Sequence, residues 1–185
     1  SSAAFFLVGA SIAAESEVTL PHVGINPTRT GVIDILKLMG ADIRLENQRD
    51  AGGEPVADLV VKAAPLKGIE IPEALVPLAI DEFPAIFIAA ACAEGETVLR
   101  GAEELRVKES DRIQVMADGL AALGVEHEVH EDGIRIVGGP FGGGEVDSHG
   151  DHRIAMAERD EQRGKDVAFL VDHPLHVALR VAAAL

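Results

Sequence analysis

The sequence predicts an α/β fold of repeated βαβαββ units, two of them clear and a third begun. Apolar helical stripes alternate with short strand-like runs along most of the 185 residues. The order of elements then restarts near residue 68 and again near residue 144. Glycine stops fall at matching places in the first two copies, Gly40 and Gly124.

The first element is the apolar run AAFFLVGASIAA behind Ser1 and Ser2, a helix with a serine at its start. Residues 17–20 (EVTL) form a strand and PHVGINPT a loop. The next helix presents Val32, Ile35, Leu36 and Met39 on one face and ends at Gly40. Strands at 42–46 and 58–62 follow, joined by the turn-rich QRDAGGEP. The second copy repeats this order: a short strand GIEI (68–71), an apolar helix at 83–93 and a strand TVLR (97–100). Its second helix, 113–123, carries Ile113, Met116, Leu120 and Leu123 on one stripe, and strands at 125–130 and 133–137 close the unit. The units span about 1–63, 68–137 and 144–157, leaving 158–185 as a divergent tail able to form a strand and a helix.

Leu20 aligns with Leu99 and Gly40 with Gly124, at offsets of 79 and 84, so the second copy is longer between its strand and its second helix. The extra length falls in GAEELRVKESDR (101–112), which holds Glu103, Glu104, Arg106, Lys108, Glu109, Asp111 and Arg112. A helix beginning near Glu109 or Ser110 brings Lys108, Glu109 and Arg112 to one place. Two cations and a carboxylate at a helix start suit an anionic substrate from which a proton must move. Charge pattern alone favours a solvated, salt-bridged helix start. Asp81-Glu82 and Asp151-His152-Arg153 precede the first helices of the second and third copies, where they serve equally as helix caps or as groups facing a shared cleft.

Composition narrows the partners. A formal net charge of −15 opposes general affinity for nucleic acid or anionic membranes, so an anionic ligand must be held by a local cationic cluster. With no Trp, no Tyr and six Phe, base stacking on aromatic rings is not expected. Cys92, the single cysteine, lies in the apolar run AIFIAAACA and reads as a buried hydrophobe in a reducing compartment. No apolar run approaches the length of a membrane span, no basic leader opens the chain, and a cytoplasmic location is expected. Ser1 opens directly into an element, as if the chain were a piece of something longer.

ELRVKESDRI (104–113) and GDHRIAMA (150–157), with SSAAFFLV (1–8), NPTRTG (26–31), LKLMGADI (36–43) and IDEFPAIFIAAACAEGET (80–97), resemble 5-enolpyruvylshikimate-3-phosphate (EPSP) synthases, most nearly the glyphosate-insensitive bacterial class. The resemblance runs from residue 1 to residue 157. It implies one domain of the enolpyruvyl transferase fold, the C-terminal of two similar domains. It also implies transfer of the enolpyruvyl group of phosphoenolpyruvate to the 5-hydroxyl of shikimate 3-phosphate, without metal or organic cofactor. By the same resemblance Asp81 is the base at the 5-hydroxyl and Glu109 the acid/base at the methylene carbon. Lys108 serves shikimate 3-phosphate, Arg112 and Arg153 hold the phosphoenolpyruvate carboxylate and phosphate, and His152 lines the site. The implied partner is an N-terminal domain that supplies the other wall of the cleft, so that the chain alone is expected to be inactive. The competing expectation is a catalytically silent domain that only binds its complementary half or anionic ligands.

After residue 157 the pattern departs from that family: ERDEQRGKDVAFLVDHPLHVALRVAAAL is polar where the helix should be buried and lacks an SFP segment. His149, Asp151 and His152, like His173 and His176, form no complete metal-ligand set. GGPFGGG (138–144) lacks the Gly-Lys-Ser/Thr of a P-loop and reads as a connection between units.

Overall fold

The structure is a computed structural model that describes residues 2–140, 142 and 147–158. The first unit comprises α1 (Ala3–Ile12), β1 (Glu17–Gly24), α2 (Gly31–Leu38), β2 (Asp42–Ala51) and β3 (Glu54–Lys62). The second comprises α3 (Phe83–Cys92), β4 (Gly95–Leu99), α4 (Arg112–Ala122), β5 (His127–His130) and β6 (Gly133–Gly138). Helix α5 (His152–Glu158) follows them. Two antiparallel sheets have the equivalent orders β1-β3-β2 and β4-β6-β5. The repetition read from the sequence is thus a repetition of topology. The tail from 159 onward and most of the glycine-rich connection lie outside the described residues.

GIEI forms less strand than expected. Residues 67–71 run beside β4 through parallel bridges, Lys67 with Glu94 just before it and Glu70 with Val98 within it, and Gly68 packs against the Glu96 backbone where a Cβ would fall 2.2 Å from its carbonyl oxygen. The edge strand is therefore short, but it runs where a βαβ crossover requires.

In the first unit the strands are longer than their sequence pattern suggested. β2 and β3 meet at a two-residue turn, Gly52-Gly53, with φ of 68° and 89°, the conformation in which glycine closes a tight hairpin. Strand β1 continues to Gly24 through Pro21, which the ladder accommodates as a bulge between Leu20 and Val23. β2 has its own bulge between Glu46 and Arg49. Both bulges lean on Asp58 in β3, which accepts from the His22 backbone N–H (2.8 Å) and the Asn47 side-chain amide (2.8 Å). His22 and Asn47 hold φ of 58° and 50°, so one carboxylate stabilises two left-handed residues on opposite neighbours. The His22 and Asn47 hydrogen bonds outweigh the opposing effect of burial, and with Arg49 they hold the Asp58 pKa below its ordinary value.

The helices make the core. α1 and α3 are apolar nearly all round and pack on each other, with α5 against α3 and α2 beside α1. Phe83 and Phe87 stack at 5.8 Å, and Val32, Ile35, Leu36, Met39, Ile113, Met116, Leu120 and Leu123 are buried. Gly40 and Gly124 sit at φ of 97° and 76° after their helices, as the stop signals require. Ser2 precedes α1 without a side-chain capping bond. Among the described residues no helix is long and apolar enough to cross a membrane.

Candidate active site

The charged segment does not extend α4 backward. Residues Glu103–Val107 form a short 3-10 turn anchored by fully buried Leu105, residues 108–110 are non-helical, and α4 starts at Arg112. The reason is local: Asp111 takes the N-cap position, its Oδ1 accepting from the Gln114 N–H at 3.0 Å. A helix starting at Glu109 or Ser110 would forgo that cap, so the one-turn spacing expected from Lys108 to Arg112 is absent. Lys108 and Glu109 lie instead on the loop that leads into the helix.

Arg112 is the buried centre, with a side chain only 3% exposed. Its Nε donates to Asp151 Oδ2 at 2.8 Å, Nη2 reaches Asp151 Oδ1 at 3.5 Å, and Nη1 donates to Asp81 Oδ1 at 3.3 Å. Asp151, wholly buried, also accepts from the Ser110 hydroxyl (3.0 Å) and from the N–H groups of Arg153 (2.9 Å) and Ile154 (3.4 Å). It is at once the cap of α5 and the ion partner of α4's first residue. Burial pushes the Asp151 pKa up, but the Arg112 hydrogen bond and charge, the Arg153 N–H and the Ser110 hydroxyl hold it below its ordinary 3.8.

Around this pair the other nominated side chains gather. Lys108 Nζ is 3.9 Å from Asp81 Oδ1 and also pairs with Glu104. Glu109 Oε2 meets His152 Nδ1 at 2.7 Å. Arg153 Nη1 lies 3.5 Å from the Asp81 carbonyl oxygen and 3.8 Å from Glu82 Oε1. Asp81, Lys108, Arg112 and Arg153 are thereby linked, and the Glu109–His152 pair lies beside them with donor atoms within 4.8 Å of Asp151, although the six come from three separate stretches of chain. Asp81 is not a helix cap: Glu82 precedes α3, without a side-chain capping bond, and the Asp81 carboxylate faces two cations. Asp151 does cap its helix, so that alternative holds for one aspartate and not the other.

Sequence reasoning missed Ser110, and it offered Asp151 as a cap or a cleft-facing group but not as the ion partner of Arg112. Both adjoin nominated residues, Ser110 beside Glu109 and Asp151 beside His152, but nothing in their spacing reveals that residues 110 and 151 touch. Among the described residues the only potential metal-ligand group is Glu109, Asp151 and His152, with donor atoms within 4.8 Å of one another. Both Asp151 oxygens already accept from cationic or N–H donors, and a metal ion would have to displace Arg112. His149 is not in that group, and His173 and His176 lie outside the described residues.

Chemically, the cluster offers two carboxylates, Asp81 and Glu109, beside three cationic side chains. Such a set can hold a multiply anionic ligand and move a proton at two different atoms.

Sequence comparison matches residues 1–158 to the family described as EPSP synthase (3-phosphoshikimate 1-carboxyvinyltransferase). A 3-phosphoshikimate 1-carboxyvinyltransferase of Alkalilimnicola ehrlichii is 75% identical over 158 residues, covering 85% of this chain and 35% of the relative. One of Halorhodospira halophila is 71% identical over 158 residues, covering 85% of this chain and 36% of its own length. The EPSP synthase structure from Acinetobacter baumannii superposes with a TM-score of 0.82 at 65% identity, over 84% of this chain and 37% of that one. The enolpyruvyl transferase NikO of Streptomyces tendae shares the fold, with a TM-score of 0.54 at 20% identity over 82% of this chain and 33% of that one. The chain thus spans about a third of the length of the relatives it matches.

Proposed function

Because the chain belongs to the EPSP synthase family, we propose that it forms one wall of the cleft in which the enolpyruvyl group of phosphoenolpyruvate is transferred to the 5-hydroxyl of shikimate 3-phosphate. The observation that supports this most is the gathering of Asp81, Lys108, Glu109, Arg112, His152 and Arg153 around the buried Arg112–Asp151 pair. In this reading residues 1–157 are the C-terminal domain and the remaining wall comes from an N-terminal domain. The enzyme works in a reducing cytoplasm and is of the glyphosate-insensitive bacterial class, which SSAAFFLV, NPTRTG, LKLMGADI and IDEFPAIFIAAACAEGET resemble most nearly.

The reaction is an addition followed by an elimination. Asp81 takes the proton of the 5-hydroxyl while Glu109 delivers a proton to the methylene carbon, and the 5-oxygen bonds to the adjacent carbon of phosphoenolpyruvate. The roles then reverse: Glu109 takes a proton from the new methyl group, the C–H electrons reform the double bond, and phosphate departs with the electrons of its C–O bond, receiving the proton held by Asp81. Lys108 attracts the shikimate phosphate. Arg153 and Arg112 hold the carboxylate and phosphate of the other substrate, Arg112 through Nη1, which faces Asp81, while its Nε and Nη2 stay on Asp151. His152 lines the site and steadies Glu109 through their 2.7 Å contact.

One observation favours a second reading, a folded but silent domain: the family match ends at residue 158 of 185. Phosphate release from the two substrates separates the alternatives. The isolated chain is expected to show negligible turnover, and mixing it with a separately produced N-terminal half should restore release. Continued silence with both halves folded would establish the silent domain instead.

A further inference from the structure

Arg106 is the one cation of GAEELRVKESDR to which the proposed chemistry assigns no task, yet its guanidinium is fully engaged. Nε donates to the Glu131 carbonyl at 2.7 Å, Nη2 to the His130 carbonyl at 2.5 Å, and Nη1 to Asp111 Oδ2 at 2.7 Å. The first acceptor lies in the β5–β6 turn, the second is the last residue of β5, and the third is the N-cap of α4. Residues 106 and 111 are the two ends of the non-helical stretch that carries Lys108, Glu109 and Ser110. The same turn also holds the start of the segment: Asp132 accepts from the Gly101 N–H (3.0 Å) and from Arg100 Nε (3.1 Å), and its carbonyl accepts from the Ala102 N–H (2.7 Å). The first unit has no counterpart, because residues 25–30 join β1 to α2 without such a loop.

We propose that Arg106 is a positioning residue, a clasp that closes the Lys108–Glu109–Ser110 loop onto the β5–β6 turn and so sets where Lys108 and Glu109 stand. This rests on the reading of Lys108 and Glu109 as substrate-facing groups. A loop with no helical or ladder bonds of its own needs fixed ends, and a planar guanidinium can serve two carbonyls and a carboxylate at once. The ammonium of a lysine is a single point of charge and cannot span all three. Asp111 completes the clasp with the oxygen that its capping bond does not use.

The test uses the whole 185-residue chain in three forms, wild type, Arg106→Gln and Arg106→Lys, with Asp111→Asn as a variant that keeps a capping acceptor. Backbone amide order of residues 108–110 is measured by NMR relaxation without ligand, and phosphoenolpyruvate is titrated against each form. Arg106→Gln is expected to lose amide order at 108–110 and to bind roughly tenfold more weakly, the size of losing charge-assisted hydrogen bonds. Arg106→Lys and Asp111→Asn should fall between. A general stability role would lower the melting temperature without singling out these amides. Amides 108–110 as ordered in Arg106→Gln as in wild type would overturn the proposal, and Asp111→Asn decides in the same way if Arg106→Gln does not fold. If wild type binds no phosphoenolpyruvate without the second wall, the clasp stands or falls on amide order alone, and the substrate reading is decided by phosphate release with the N-terminal half added.

Discussion

Replacing Asp151 by alanine removes the hub on which the candidate site is assembled. Arg112 keeps Asp81 at 3.3 Å but loses its Nε acceptor, inside a pocket that leaves its side chain 3% exposed. Breaking one side of a buried ion pair costs about 3 kcal/mol where a second carboxylate remains, the low end of the usual range. Losing the cap of α5, through the Arg153 and Ile154 N–H groups, adds about 1 kcal/mol. The sum, about 4 kcal/mol, corresponds to a fall in melting temperature of roughly 10 °C for a chain of this size. With no Trp or Tyr, unfolding is best followed by far-ultraviolet circular dichroism with heat and with urea. Asp151→Asn keeps a capping acceptor and loses the charge, so it should cost about 1 kcal/mol less than alanine. Because the folded Asp151 carboxyl titrates below its ordinary 3.8, its contribution is complete above about pH 5 and is lost as pH falls through that value toward the lower folded one. The stability gap between wild type and Asp151→Asn must therefore narrow over that range. A loss under about 1 kcal/mol for Asp151→Ala, or a gap that widens with acid, would refute the assignment of Asp151 as the buried partner of Arg112.

The second sheet and the lone cysteine can be tested as directly. A Cβ at Gly133 would lie 1.9 Å from the Leu99 carbonyl oxygen, and since backbone cannot yield as a side chain does, Gly133→Ala should cost about 2 kcal/mol in urea unfolding; an unchanged midpoint would mean that β4 and β6 are not packed this closely. Burial pushes the Cys92 thiol up to about 12, so in the folded chain it should resist a thiol reagent at pH 8 and react promptly in denaturant. Equal rates in both conditions would contradict its placement on α3.

Much of the architecture was legible in local sequence because the signals that set it are local. Gly40 and Gly124 mark helix ends since a left-handed residue after the last turn is a matter of one backbone position. The apolar stripe of α4 and the all-round apolarity of α1 and α3 announce which faces are buried. The start of α4 was legible within a residue, since the apolar stripe places a helix at 113–123, whereas a helix reaching back to Glu109 or Ser110 was excluded by the Asp111 cap. Strand length was less legible. The Asp58 clamp that lets β1 and β2 run past their alternating cores joins residue 58 to residues 22 and 47, on strands whose pairing no short window reveals.

By itself the sequence determined the repeated unit and its apolar faces, since periodicity is a property of neighbouring positions, and its resemblance to a family nominated six residues for the site. Only the tertiary structure decided that Asp151 is the buried ion partner of Arg112, 39 residues away, that Asp81 faces cations and is not a cap, and that Arg106 joins the segment before α4 to the end of β5 and the turn after it. Those contacts arise when helix α5, helix α4 and the β5–β6 turn pack around one core. An ion pair depends on distance and burial in space, and neither is encoded in separation along the chain.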